Sequence, residues 1–403
     1  MNPEDLLTDA LHDRVERTDY PSTPLSAVTG RAGAIRARRR RTTALAAAAA
    51  VAAVVVPGAL WLGRSPDAAP RPSQTLSSGP SSDPTAPTVA GPLPLEGLPL
   101  GQKPGIDYLV GDTYVTMNGD RITSPALRTA AVATPVRGGI LTATAPGQTG
   151  PLSHVALVVD VAAQPLGCGT SRFAMSTDGV QSAYWLADSC TPGGAGRLYS
   201  GVNNTMGESG PGYTATPTGA IDVPVGIVQQ GVVVNDVGGD DADGPAGLLI
   251  RWDGTTKRLL TLASAQGSDE NNDVVSGQLA SNFDTGAIVD ASTGAVQVRV
   301  PGWVLGQFSI DGRYVLGDQP RNGAIPDGHA IFDATTGSKV VDLPELGTGV
   351  TLGQLVWDGD GTVLAVANGT DASTIVRFDL QGHLTRATPV VDTAGMYRLA
   401  TRP

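Results

Sequence analysis

The chain has 403 residues, enough for several average domains or for one large β-architecture with appendages. Charged residues make up 16% and aromatics 4%, against 52 Gly and 30 Pro, which argues against a coiled coil or a helical enzyme core and favours short strands joined by tight turns. Four His and two Cys leave little room for metal sites or nucleophiles, and the net charge of −11 is unevenly spread. Residues 1–41 hold eight Arg against six Asp or Glu, whereas residues 93–403 hold 17 basic and 30 acidic residues, so 17 − 30 = −13. So acidic a domain repels nucleic acid and anionic headgroups, and no nucleic-acid partner is expected.

Residues 1–41 are expected to form a cytoplasmic tail opening on an amphipathic helix. Asn2 suits an N-cap, Pro3 the first helical position, and Glu4 and Asp5 the positive end of the helix dipole. Leu7, Leu11 and Val15 recur every four residues, giving one apolar face able to dock a cytoplasmic regulatory protein. Tyr20-Pro21 and Pro24 end the helix. A lone helix of this length is marginal in water, so a partly folded tail without a partner is an equal alternative.

Arg36, Arg38, Arg39, Arg40 and Arg41 then form a positive-inside cluster ahead of 22 residues, 42–63, without a charge. At 1.5 Å per residue that run reaches about 33 Å, enough to cross a hydrocarbon core. Val54 to Val56 and Leu60 to Leu62 carry its hydrophobicity, and Trp61 suits the far interface. The Arg cluster should stay in the cytoplasm and send the C-terminus outward, giving one retained transmembrane helix. A cleavable signal peptide would need a 41-residue basic leader and a small-residue cleavage site, and no convincing site follows. Residues 64–99 are rich in Pro and Ser and are expected to be a disordered linker.

From residue 100 to 403 the pattern becomes short apolar runs separated by Gly, Asp and Asn turns. FSIDGRYVLGDQ (308–319) leads to HAIFDATTGSKVVDLP (329–344), and LVWDGDGTVLAVAN (355–368) leads to STIVRFDLQGHLTRATP (373–389). In each, an apolar strand meets Asp-Gly, whose positive φ closes a hairpin, and a third strand ends in Asp before a short turn to a fourth. Asp311-Gly312 and Asp358-Gly359 mark equivalent hairpins 47 residues apart. Four-stranded units cannot close their own edges, and radial repetition protects them. The expected fold is all-β: a propeller of about seven four-stranded blades, preceded by the transmembrane helix and the short cytoplasmic amphipathic helix. At a period of roughly 42–45 residues, blades are expected to start near residues 105, 137, 170, 222, 270, 303 and 350. VVDTAGMYRLATRP at the chain end is a strand remnant able to close the ring on the first blade; a pair of β-sandwiches is the rival architecture.

These phrases resemble divergent WD40-like or quinoprotein-type propeller repeats, most clearly over residues 303–390. The whole layout resembles actinobacterial single-pass membrane proteins with an extracytoplasmic propeller. The Gly-His and Trp-Asp signatures of true WD40 repeats are absent, and Trp252-Asp253 and Trp357-Asp358 are placed at turns. Similarity to membrane-bound regulators of sigma factors extends to the layout only, because the zinc-binding His/Cys motif of many anti-sigma factors is missing.

Cys168 and Cys190 flank the hairpin expected to turn at Asp178-Gly179. Partners across that turn have numbers summing to about 357 and these sum to 358, so a disulfide is expected, in keeping with an extracytoplasmic domain. No GxSxG, HExxH or paired CxxC motif occurs, and His154, His329 and His383 are assigned to surface or turn positions. Asp240, Asp241 and Asp243, with Asp236, form an acidic Gly-rich loop that is a weak calcium candidate and more simply a connection between strands. The expectation is therefore no catalytic residue and no cofactor. It describes a membrane-anchored, non-enzymatic binding module for an envelope protein, peptide or glycan. A transmembrane regulator with the propeller as sensor, or an envelope hydrolase or dehydrogenase, are the alternatives.

Overall fold

The structure, a computed structural model, describes residues 94–400 except 137–138, 147–151, 177–178, 192–194, 203–212, 219–221, 237–245, 260, 322, 345, 348 and 360. The amphipathic helix with Leu7, Leu11 and Val15, the Arg36–Arg41 cluster, the 42–63 segment and the acids Asp240, Asp241 and Asp243 all lie outside the described residues. Among the described residues, no helix is long and apolar enough to cross a membrane.

A short 3-10 turn (Leu95–Gly97) opens the domain, followed by β1 (Tyr108–Val110), β2 (Thr113–Val115), β3 (Arg121–Thr123) and a second 3-10 turn (Pro125–Thr129). An eight-stranded sheet comprises β4 (Ala130–Val136), β5 (Gly139–Thr144), β6 (Ser153–Val159), β7 (Ala162–Gly169), β8 (Ala174–Met175), β9 (Gln181–Ala187), β10 (Gly196–Val202) and β11 (Tyr213–Thr218). Three four-stranded sheets follow in simple up-and-down order. They are β12 (Asp222–Val228), β13 (Gly231–Asp236), β14 (Ala246–Arg251), β15 (Thr256–Arg258); β16 (Leu262–Asp269), β17 (Val274–Leu279), β18 (Asn282–Asp290), β19 (Val296–Pro301); and β20 (Val304–Phe308), β21 (Tyr314–Arg321), β22 (Gly323–Asp333), β23 (Lys339–Asp342). A fourth holds β24 (Thr351–Asp358), β25 (Thr362–Asn368), β26 (Ser373–Phe378) and β27 (Leu384–Arg386). Finally β28 (Tyr397–Leu399) returns to pair antiparallel with β1, completing the sheet β28-β1-β2-β3. β12, β16, β20 and β24, the first strands of their blades, neighbour one another in turn around an axis; β12 also meets β8 and β9, and β28 stands between β24 and β4. The fold is a β-propeller, closed as expected by the chain end.

Seven separate blades were expected, and the count is corrected: five four-stranded blades form, while β4–β11 run on as one eight-stranded sheet. The cause is local. β8 is only two residues long, so it leaves the Leu186 end of β9 without a partner, and Gly169 at the end of β7 takes that place. A Cβ on Gly169 would lie 2.2 Å from the Trp185 carbonyl oxygen, so only glycine permits the junction. The starts expected near 222, 303 and 350 match β12, β20 and β24, but the one near 270 misses β16, whose sequence LASAQGSD lacks an apolar alternation. Residues 95–99 are also not linker: Leu95 and Leu98 are buried among Leu316, Ile331, Trp357 and Phe378.

Adjacent sheets are held by apolar clusters. Val228, Val233 and Leu249 of one blade meet Val275, Leu279 and Val289 of the next, and Leu305, Val315 and Phe332 meet Val274, Ile288 and Val298 in the same way. The eight-stranded sheet encloses its own cluster, with Leu141, Val155 and Leu157 of its first half against Phe173 and Tyr184 of its second. Each such buried side chain contributes about 1.5–3 kcal/mol, so lateral packing is the main force holding the ring.

The turns follow the expected chemistry. Gly312 has φ +71° between β20 and β21, and Ser309 Oγ donates to Asp311 across that turn at 2.7 Å. Asp290 and Asp333 close β18 and β22 and accept hydrogen bonds from Thr293 and Thr336. These bonds hold both carboxyls below the usual range, for Asp290 chiefly the Ser292 hydroxyl and for Asp333 chiefly the Thr336 amide.

Candidate functional site

The strands around the axis share a defect. Register shifts occur at Ala130/Val132 in β4, Pro224/Gly226 in β12, Ala265/Gly267 in β16, Leu305/Phe308 in β20 and Leu352/Leu355 in β24. The residues released from the alternation are Ala131, Val225, Gln266, Gly306-Gln307 and Gly353-Gln354, and all of them line one axial cavity of about 570 Å³. A β-bulge re-aims a side chain without disturbing the faces of its neighbours, and here repeated bulges aim residues inward. Glycine makes the arrangement fit: a Cβ on Gly267 would lie 2.4 Å from the Gly306 carbonyl oxygen of the next inner strand.

The cavity wall is completed by Ser171, Arg172 and Phe173, which lead into β8, and by Val304, Leu316, Asp318, His329, Leu352, Leu355 and Val356. Val304 begins β20 and pairs with Asp318, so the polar end lies where the inner strands start. Its ionisable groups are Arg172, Asp318 and His329. His329 Nδ1 meets Asp318 Oδ1 at 2.6 Å, and the histidine side chain is only 12% exposed. His329 was expected at a surface or turn position and is instead an inward residue of β22. His154 is exposed on β6 and His383 sits in the β26–β27 turn with Asp379, as expected.

Arg172 differs from the buried Arg377. Arg377 is buried and meets Asp358 at 2.5 Å, with Thr362 Oγ1 and the Lys103 carbonyl also accepting from it. Arg172 has no carboxylate among the described residues, and its one hydrogen bond is to Gln266 Oε1 at 3.5 Å. It remains open to solvent while being enclosed by cavity walls, and that enclosure lowers its pKa from the ordinary arginine value.

The three glutamines play different parts. Gln354 is used structurally: its Nε2 donates to the Leu399 carbonyl at 2.7 Å and its Oε1 accepts from the Leu399 amide at 2.9 Å, clasping the chain end. Asn235 makes the same pair of hydrogen bonds to Ala265, between the β12–β15 and β16–β19 blades. Gln266 is held loosely by Ser264 at 3.3 Å, and the Gln307 side chain has no hydrogen bond among the described residues. The carbonyl of Gln307 accepts from the indole of Trp357, which is a buried β24 residue and not the turn residue expected. Sequence reasoning missed the glutamines, although LGQF (305–308) and LGQL (352–355) stand 47 residues apart, the period already marked by the Asp-Gly turns.

Cys168 and Cys190 form the expected disulfide, joining the end of β7 to the loop beyond β9. The β8–β9 pairs Ala174↔Ala183 and Met175↔Ser182 have the expected sum of 357, but Cys168 lies on the preceding strand. The bridge pins the chain four residues before Arg172. Among the described residues, no group of three or more His, Cys, Asp or Glu is placed to hold a metal ion.

No family model and no curated protein matches the chain. Solved structures of similar shape include a puromycin hydrolase (12% identical, 73% of this chain and 55% of that one, TM-score 0.45). Others are prolyl oligopeptidase B from Galerina marginata (11%, 69% and 45%, 0.45) and the propeller domain of the Trilobed protease from Pyrococcus furiosus (9%, 64% and 83%, 0.42). The chain thus spans about half the length of the first two. At these identities the likeness extends to the fold and no further.

Proposed function

We propose that this chain is a non-enzymatic binding module whose ligand sits in the axial cavity, carried outside a cell membrane by the 42–63 segment. The observation that carries the reading is the set of inner-strand bulges converging on one cavity, a construction that aims side chains at a ligand. Two features support the address. The Arg36–Arg41 cluster precedes the uncharged run, and the Cys168–Cys190 bridge belongs in an oxidising compartment. The layout resembles that of actinobacterial single-pass proteins, and the partner is an envelope protein, peptide or glycan. The tail face of Leu7, Leu11 and Val15 is a second contact, for a cytoplasmic regulator.

The test is crosslinking in cells of the full-length protein carrying a photoreactive residue at Gln307 or at Leu11. Envelope components captured from position 307 support the binding module; capture only from position 11 moves the function to the tail and to the regulator reading.

The Asp318–His329 pair favours a second reading, because a histidine oriented by a carboxylate and facing a cavity supplies two of the three members of a hydrolytic triad. Both cysteines are in the disulfide, and Asp318 is the only side-chain hydrogen-bond partner of His329 among the described residues, so no hydroxyl or thiol is hydrogen-bonded to the ring there. Ester or amide turnover by the intact protein, abolished by His329→Ala, would establish the hydrolase.

A further inference from the structure

Arg172 and the two loosely held glutamines define what the cavity can recognise. A guanidinium offers up to five donors in a planar fork matched to a carboxylate or phosphate, and this one spends a single weak bond on Gln266. The one acid among the residues lining the cavity, Asp318, is already engaged by His329. Gln266 and Gln307 each present an amide with both donor and acceptor, the complement of a peptide group. Phosphate and sulfate oxygens at neutral pH would use mainly the donors. Charge narrows the choice further: at −13 over residues 93–403 the domain repels polyanions, so one anionic group on an otherwise neutral chain suits it. Phe173, Val225, Leu352 and Leu355 supply an apolar wall for side chains.

We propose that the axial cavity seats a peptide by a free carboxylate, with Arg172 taking the carboxylate and Gln266 and Gln307 the adjoining amide groups. This rests on the axial cavity being the binding site, and it adds the ligand class. No covalent bond is made or broken; the site is one of recognition by a charge-assisted fork.

The experiment uses the full-length protein in detergent micelles. It is equilibrated with a mixed-sequence pool of N-acetylated tripeptides, as free acids or as C-terminal amides, and bound peptide is measured by mass spectrometry. The expected result is retention of acids over amides by about tenfold, a ratio worth about 1.4 kcal/mol. Arg172→Gln should bring acids down to the amide level without moving the melting temperature, and Arg172→Lys should keep part of the preference. Gln307→Leu should lower acids and amides alike. Arg128→Gln, at a surface arginine paired with Asp112, should change nothing. Equal retention of acids and amides, or an acid preference that survives Arg172→Gln, overturns the carboxylate assignment. Displacement of every peptide by equimolar inorganic phosphate makes the site one for small anions and overturns it equally. Retention of neither pool overturns the peptide class, while the crosslinking result at Gln307 decides separately whether the cavity binds at all.

Discussion

Asp222 stands directly across the β12–β13 ladder from Asp236, and its side chain is buried. Burial first, and the Asp236 charge second, push its carboxyl up from 3.8 to about 7, against a smaller opposing hydrogen bond from Thr218. The folded state therefore favours the protonated form. Stability from this group is complete below about pH 4 and is lost as the pH rises through about 7, a swing of roughly 4 kcal/mol. Asp222→Asn should raise the melting temperature above pH 7 and flatten its dependence between pH 4 and 7, read by thermal unfolding across that range. Gln354 makes the opposite kind of contact. Gln354→Leu strands the amide and carbonyl of Leu399, at a cost of about 2 kcal/mol, and should speed hydrogen exchange at residues 397–400 before other inner strands.

At the scale of the element, the joint between the halves of the eight-stranded sheet depends on the Cys168–Cys190 bridge. The bridge closes a loop with a sequence separation of 22, so Cys168→Ser with Cys190→Ser should lower unfolding free energy by about 3 kcal/mol in denaturant titration. The same variant should weaken carboxylate-dependent peptide retention, because Arg172 follows the bridge closely. Strands whose apolar alternation is intact and bounded by Asp-Gly were legible in the sequence: IFDATTG became the end of β22 and its turn, and VLAVAN became β25. β16 was not, since LASAQGSD is a fully inner strand whose Ser and Gly fit against neighbouring backbones and so leave no hydrophobic period. The disulfide was legible from spacing. Its place one strand earlier was not, because nothing in the sequence announces that β8 has only two residues. The site was the least visible part, for its bulges interrupt the strand alternation, and the LGQF and LGQL pair 47 residues apart was the signal that could have found it.

On the scale of the whole molecule, the ring is latched by both ends of the described chain. β28 completes the first blade from within, while residues 94–107 lie along the last blade. There Gly101 donates to the Arg386 carbonyl, the Arg386 amide to the Pro99 carbonyl, and Arg377 to the Lys103 carbonyl. Replacing Leu95 and Leu98 together by Ala should cost about 4–10 kcal/mol, from the usual loss for a buried leucine at each site. It should also make β24–β27 the first blade to exchange its amides with solvent. The bulges have a further consequence, for adaptation. A side chain outside the strand alternation can change its chemistry without sending a polar group into the core, so Ala131, Gln266 and Gln307 are uncoupled from the packing that builds the blades. The architecture and the ligand preference can then diverge independently: one ring, inherited unchanged, can acquire new partners through three positions.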